Sequence, residues 1–212
     1  MSNESINYHL ELNKIIEKAT QVGTRPTVLL HCCCAPCSSY VLEYLSPIFD
    51  ITCYFYNPNI FPEEEYQRRK GEFTKLFTAA GYRDNIYFTE GEYSPTVFYD
   101  ISKGYEDLLE GQDRCLRCFA LRLLMTAQTA KMMGKEYFTT TLTISPHKNA
   151  KDINDIGMMI ADLTDVKWLP SDFKKNNGYI RSIELSREYG LYRQSYCGCE
   201  YSFSERMRTW NE

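Results

Sequence analysis

Apolar and polar positions switch repeatedly between a helical and a strand-like period along the chain. Residues 5–21 carry Ile6, Leu10, Ile15, Ile16 and Ala19 near helical spacing, which predicts an amphipathic helix. "PTVLLHC" (26–32) is a short apolar run after a proline and predicts a buried strand. "SSYVLEYLS" (38–46) predicts a helix with Ser38 as its N-cap. "DITCYFYNP" (50–58) is a second strand, aromatic and β-branched, ended by Pro58. "PEEEYQRRKGEFTKLFTAAG" (62–81) predicts a helix: Pro62 suits the first turn, the acids favour the N-terminus and Gly81 ends it. "NIYFTE" (85–90) is a third strand, and "DRCLRCFALRLLMTAQTAKMMG" (113–134) a long helix. "KEYFTTTLT" (135–143) is a fourth strand, "KNAKDINDIGMMIADL" (148–163) a helix and "DVKWLP" (165–170) a fifth strand.

Strands alternating with helices predict an α/β fold, a parallel sheet of about five strands with helices on both faces. In such sheets ligands sit in the crevice at the carboxyl ends of the strands. Three unusual loops fall there: "HCCCAPC" (31–37) after the first strand, "YNPNIFP" (56–62) after the second and "TISPHKN" (143–149) after the fourth. The last forty residues are tyrosine-rich, read as irregular and contain "YCGCEYSFSERM". No linker or repeat divides the chain. A helical extension over 1–25 and one catalytic α/β domain over 26–212 are expected.

Composition narrows the chemistry. The 212 residues include 17 tyrosines and carry a net charge of −4. That balance does not suggest a strongly basic nucleic-acid binder. A nucleic-acid site would have to be a local patch, with "RRK" (68–70), "KK" (174–175), Arg181, Arg187 and Arg193 as candidates; each taken alone reads as a solvated face. The N-terminus has no apolar signal core, and no run of 18 apolar residues predicts a membrane span, so a cytoplasmic protein is expected. Nine cysteines in a reducing compartment argue against structural disulfides. Adjacent Cα atoms lie about 3.8 Å apart, below the usual disulfide range of roughly 4.4–6.8 Å. Metal or redox chemistry explains the cluster better.

Cys33 and Cys34, with Cys115 and Cys118 of "CLRC", supply four thiols, the usual ligand set of an iron–sulfur cluster or of structural zinc. Cys197 and Cys199 of "YCGC" can chelate a metal or form a strained disulfide. Cys37 is a further thiol near the first loop. Cys53, inside the second strand, reads as a buried small hydrophobe, and Cys32 as a pocket wall. His31 reads as a hydrogen-bonded structural residue and His9 as a surface one. His147 and Lys148 can hold an anion, or simply open a helix capped by Asn149.

"CCAPC" (33–37), "YNPNIFPEEEYQRR" (56–69), "DRCLRCFALRL" (113–123), "TTLTISPHKN" (140–149) and "YGLYRQSYCGCEYS" (189–202) together resemble the QueH type of epoxyqueuosine reductase. The resemblance covers roughly residues 27–202 and leaves out residues 1–25 and Cys32. It implies an adenine nucleotide α-hydrolase-like fold. It implies an oxidoreductase that reduces the epoxide of epoxyqueuosine at the tRNA wobble position, without cobalamin and with an external electron donor. It assigns Cys33, Cys34, Cys115 and Cys118 to a 4Fe–4S cluster. Cys197 and Cys199 become a redox-active pair or ligands of a second metal ion, iron or zinc, with Cys37 as the natural third ligand. Tyr192, Tyr196 and His147 are then candidate proton donors. Arg193, Asn57, Asn59 and Lys148 are candidate contacts to the substrate.

Overall fold

The computed structural model describes residues 6–82 and 86–210. The expected starts of the first helix at residue 5 and of the third strand at residue 85 lie outside the described residues. Helix α1 (Tyr8–Val22) is capped by the Asn7 side chain, which accepts the Leu10 N–H. It is followed by β1 (Thr27–His31), α2 (Ala35–Leu45), β2 (Asp50–Phe55), α3 (Glu63–Ala80), β3 (Ile86–Glu90), α4 (Pro95–Ser102), α5 (Asp113–Met132) and β4 (Tyr137–Thr140). A 3-10 turn (Thr141–Ile144), α6 (Ala150–Thr164), β5 (Lys167–Trp168), α7 (Gly178–Glu188) and α8 (Glu200–Trp210) complete the chain.

The five strands form one all-parallel sheet in the order β3-β2-β1-β4-β5. Successive residues of a strand point to opposite faces. On β1 and β2, Val28, Leu30, Ile51, Cys53 and Phe55 join Leu12 of α1, residues of α2 and α3, and Leu185 of α7 in one apolar core. Leu29, Tyr54 and Phe138 face the other way, onto Phe119, Leu123 and Ala127 of α5 and Ile153 and Ile160 of α6. Both faces of the sheet are therefore covered, as the near-continuous apolar strands require.

This strand order fixes where a site can form. The chain steps outward from β1 to β2 and β3, then returns to place β4 on the other side of β1. The loops after β1 and β4 diverge, and a crevice opens between them at the carboxyl ends. A hydrogen bond spans it at its base, from the Cys33 N–H to Thr141 Oγ1 at 3.1 Å.

Several expectations need correcting. The cap of α2 is Cys34 and not Ser38, because Cys34 Sγ accepts the Cys37 N–H while Ser38 bonds back to the Cys34 carbonyl. β2 stops at Phe55, β4 at Thr140 where the chain tightens into the 3-10 turn, and β5 is two residues long. Helix α4, opened by Pro95, was not expected. The tail beyond residue 172 is not irregular: it holds α7 and α8. Gly178 lets α7 start hard against α2, since a Cβ there would lie 2.4 Å from the Tyr40 ring, and 2.0 Å from the Phe173 carbonyl oxygen. His9 is buried, not on the surface; Asn176 Nδ2 reaches its Nε2 at 2.7 Å, and its ring leans on Tyr44. Cys32 lies in the apolar core instead of walling a pocket. Cys53 is buried there as expected, and His31 is the expected hydrogen-bonded residue. No helix among the described residues is long and apolar enough to cross a membrane.

Candidate metal centre

Three helices begin at cysteines. Cys34 caps α2, Cys115 lies in the first turn of α5 with Cys118 one turn on, and Cys199 immediately precedes α8. Each takes backbone N–H groups on sulfur: Cys37 N–H on Cys34 at 3.4 Å, Gly111 N–H on Cys115 at 3.3 Å, and Ser202 N–H on Cys199 at 3.4 Å. Helix starts carry unpaired N–H groups and the positive end of the helix dipole, and both favour thiolate. All nine cysteines are free.

The sulfurs of Cys33, Cys34 and Cys37 lie within 4.8 Å of one another. Four sulfurs around one ion at about 2.3 Å would sit roughly 3.8 Å apart. This trio therefore has the spacing and donor chemistry to hold a metal. Cys33 is the natural anion of the three. Hydrogen bonds from the Cys34 and Cys37 thiols hold it well below the usual thiol range, and Arg122 and Thr141 help against burial. Its neighbours keep their protons: Cys34 is pushed up to about 12, chiefly by Cys33, and Cys37 is raised for the same reason. Burial pushes Cys115 to about 11 and Cys118 to about 12, with Cys197 and Cys199 adding to both. A bound metal would reverse these preferences, because a coordinating thiol is deprotonated outright.

A cavity of about 410 Å³ opens over the trio, lined by Cys33, Cys37, Cys197, Lys148, Arg193 and Arg122 among others. A smaller neighbouring cavity brings in Cys115 beside Cys197, with His147 and Lys148 again on its wall. Lys148 is the cation shared by both. Burial works against its charge, but Cys197 and Cys33 outweigh that, so it stays protonated far above neutrality.

The "YCGC" loop is seated by α3. Arg69, buried and paired with Glu65 at 2.7 Å, donates to the carbonyls of Cys197 at 3.0 Å and Tyr196 at 3.4 Å. The Phe61 N–H donates to the Gly198 carbonyl at 2.8 Å. Gly198 has φ +135°, a conformation open to glycine, and a Cβ there would meet Arg69 Nη1 at 2.9 Å. A side chain at position 198 would press on the guanidinium that seats the loop.

The model of a family described as epoxyqueuosine reductase QueH matches residues 28–205. The chain belongs to that family. It is 46% identical over 203 residues to epoxyqueuosine reductase QueH of Streptococcus pyogenes, covering 94% of this chain and 79% of the relative. The protein of the same description from Staphylococcus epidermidis is 45% identical over 95% of this chain and 87% of its own length. That of Thermotoga maritima is 42% identical over 85% and 92%.

In this QueH-family chain the expected site residues do not all meet. Cys33, Cys37, Cys197, His147, Lys148, Arg193 and Tyr196 line the large cavity, and Cys115 the small one. Cys118 and Cys199 pack together with Phe98 behind it. Tyr192 does not line this cavity; it lines a second groove beside α3, where Arg68 stacks on its ring and its hydroxyl meets Glu65. Asn57 and Asn59, expected at the substrate, are buried below the surface. Asn57 is committed to the Cys32 carbonyl at 2.9 Å and to Arg122 at 2.6 Å. Arg193 is tied to Ser182 and Ser186 while facing the cavity.

Three contributors were missed by sequence reasoning: Thr141, Gln194 and Arg122. Thr141 Oγ1 reaches Cys33 Sγ at 3.3 Å and Gln194 Nε2 reaches Cys34 Sγ at 3.1 Å. Arg122 had a legible signal. Cys115, Cys118 and Arg122 stand at i, i+3 and i+7 and so share one face of α5.

Proposed function

We propose that this chain is an oxidoreductase that converts epoxyqueuosine in tRNA to queuosine. The two C–O bonds of the epoxide break, the two ring carbons become an alkene, and two electrons and two protons carry the oxygen away as water. Family membership supports the reaction. The observation that carries the chemistry is the meeting of Cys33, Cys37 and Cys197, from opposite ends of the chain, on one cavity at the sheet's switch point.

The donor set suits thiolate-bound iron: all the sulfurs are free, and several accept N–H groups in the way that tunes such centres. In this reading Cys33, Cys34, Cys115 and Cys118 hold a 4Fe–4S cluster, and Cys37, Cys197 and Cys199 hold a second ion, iron or zinc, or work as a redox pair. When bound, the cluster supplies electrons one at a time from an external donor, and the reading needs no cobalamin. Lys148 places a fixed positive charge where negative charge grows on the departing oxygen. Tyr196, pushed up to about 12 by burial, keeps its proton at neutral pH and lines the cavity, which Tyr192 does not; its hydroxyl donates to the Phe61 carbonyl and would have to turn from it to serve as proton donor. Arg193 with Tyr179 offers a guanidinium and an aromatic face to the anticodon loop. Such a substrate places the protein in the cytoplasm.

The test is anaerobic purification, then iron, zinc and sulfide content, a visible spectrum, and turnover of epoxyqueuosine tRNA with a chemical reductant. A brown protein with about four sulfides that bleaches on reduction, and that removes one oxygen from the nucleoside by mass spectrometry, is expected. A colourless protein holding zinc, without sulfide and without turnover after reconstitution, would sink the reading.

A further inference from the structure

Among the described residues three arginines are almost completely buried: Arg69 at 2% exposed, Arg114 at 1% and Arg122 at 2%. A buried guanidinium cannot shed its charge, so it needs an anion nearby. Arg69 has Glu65 at 2.7 Å, and Arg114 has Glu205 at 3.7 Å. Arg122 has no carboxylate partner among the described residues. Its Nε donates to His31 Nε2 at 3.2 Å and its Nη2 to Asn57 Oδ1 at 2.6 Å. These partners are neutral, and they fix the guanidinium in one orientation. Two groups meet His31 Nε2, the Arg122 N–H and the Tyr56 carbonyl at 3.1 Å. In the tautomer that accepts from Arg122, Nδ1 donates to Thr140 Oγ1 at 2.8 Å; in the other, Nε2 donates to Tyr56 and Nδ1 accepts from Thr140. The remaining Nη1 is aimed at Cys118 Sγ at 3.9 Å, and the same side chain lines the cavity over Cys33. Among the described residues its nearest charge partners are the cysteine sulfurs: Cys118 Sγ at 3.9 Å and the Cys33 thiolate, which Arg122 stabilises.

Resting on the metal-centre reading above, we propose that Arg122 is the fixed counter-charge of the cysteine-bound centre. As a positioning residue it stabilises the more negative, reduced form and raises the reduction potential. His31 and Asn57 hold the charge still, so that it acts without rearrangement when an electron arrives. The asymmetry among the three arginines follows: two fasten loops and are neutralised locally, while the third is kept uncompensated for the centre.

The test is a dye-equilibrated potential titration of the anaerobically reconstituted wild type, Arg122→Gln, Arg122→Lys and Asn57→Asp. Removing the charge is expected to disfavour reduction at least tenfold in Arg122→Gln, about 59 mV more negative for one electron. Arg122→Lys keeps the charge and is expected to recover most of the difference, which a purely structural role would not allow. Asn57→Asp leaves the guanidinium in place and sets a carboxylate on it, so the same negative shift is expected even where Arg122→Gln fails to fold. Equal potentials in the wild type and in every variant that loads iron overturn the inference alone. A wild type that takes up no iron overturns the cluster reading, and this inference with it.

Discussion

Cys32 and Cys33 are neighbours in the chain and share almost nothing else. Cys32 closes β1 with its sulfur in the apolar core, its thiol turned back on the Leu30 carbonyl at 3.3 Å. Burial raises it well above the ordinary thiol range, and Cys53 across on β2 adds to that. Cys33 turns out of the strand into the crevice, where Cys34, Cys37, Thr141 and Arg122 stabilise its thiolate. The Cys32 N–H still pairs with the Tyr54 carbonyl of β2 at 2.9 Å, whereas the Cys33 N–H has turned to Thr141, and that turn separates the inert thiol from the one in the crevice. Sulfur content alone therefore says little about reactivity; donors to the sulfur decide it.

The sharpest way to break this contrast is to exchange the partners' fates by mutation. Cys33→Ser is expected to lower metal retention by more than about 100-fold and to abolish turnover, whereas Cys32→Ala leaves both within a few-fold. Metal content after gel filtration measures it, and equal losses in the two variants would erase the distinction. A gentler probe is alkylation of the metal-free protein at neutral pH, followed by peptide mass spectrometry. Cys33, held below its ordinary range, keeps its thiolate as the pH falls beneath 9, while Cys34 keeps its proton until about 12. Cys33 is expected to label at least about tenfold faster than Cys34, and Cys32 only after unfolding. The smallest effect belongs to Cys53→Ala: a loss of about 1 kcal/mol from the vacated core volume, seen as a drop of about 2–4 °C in Tm, with iron content unchanged.

The sheet and the cysteine-bearing loops were legible because they rest on local rules. Apolar runs of strand length predicted β1, β2 and β4, and the carboxyl-end rule then placed the cysteines at a crevice. What stayed hidden depends on tertiary contacts. Cysteine is an uncommon cap, so Ser38 drew the boundary of α2 away from Cys34. The spacing of Arg122 from Cys115 and Cys118 put it on their face of α5, but its burial against His31 and Asn57 appears only when β1 and the loop after β2 are in place. The tyrosine-rich tail read as irregular, yet α3 supplies the seat that orders its loop. Asn57 and Asn59 entered as substrate contacts through the resemblance alone; the structure buries both and pairs Asn57 with the Arg122 guanidinium.

The site draws on both ends of the chain, and this has a consequence for how the protein is born. Cys33, Cys34 and Cys37 leave the ribosome early, and Cys197 and Cys199 follow only near the end. At ordinary elongation rates the first thiols wait on the order of ten to thirty seconds for the last. During that interval Cys33, Cys34 and Cys37 are made and Cys197 and Cys199 are not. On the metal-centre reading, the order in which the thiols emerge decides which of them can meet an ion first.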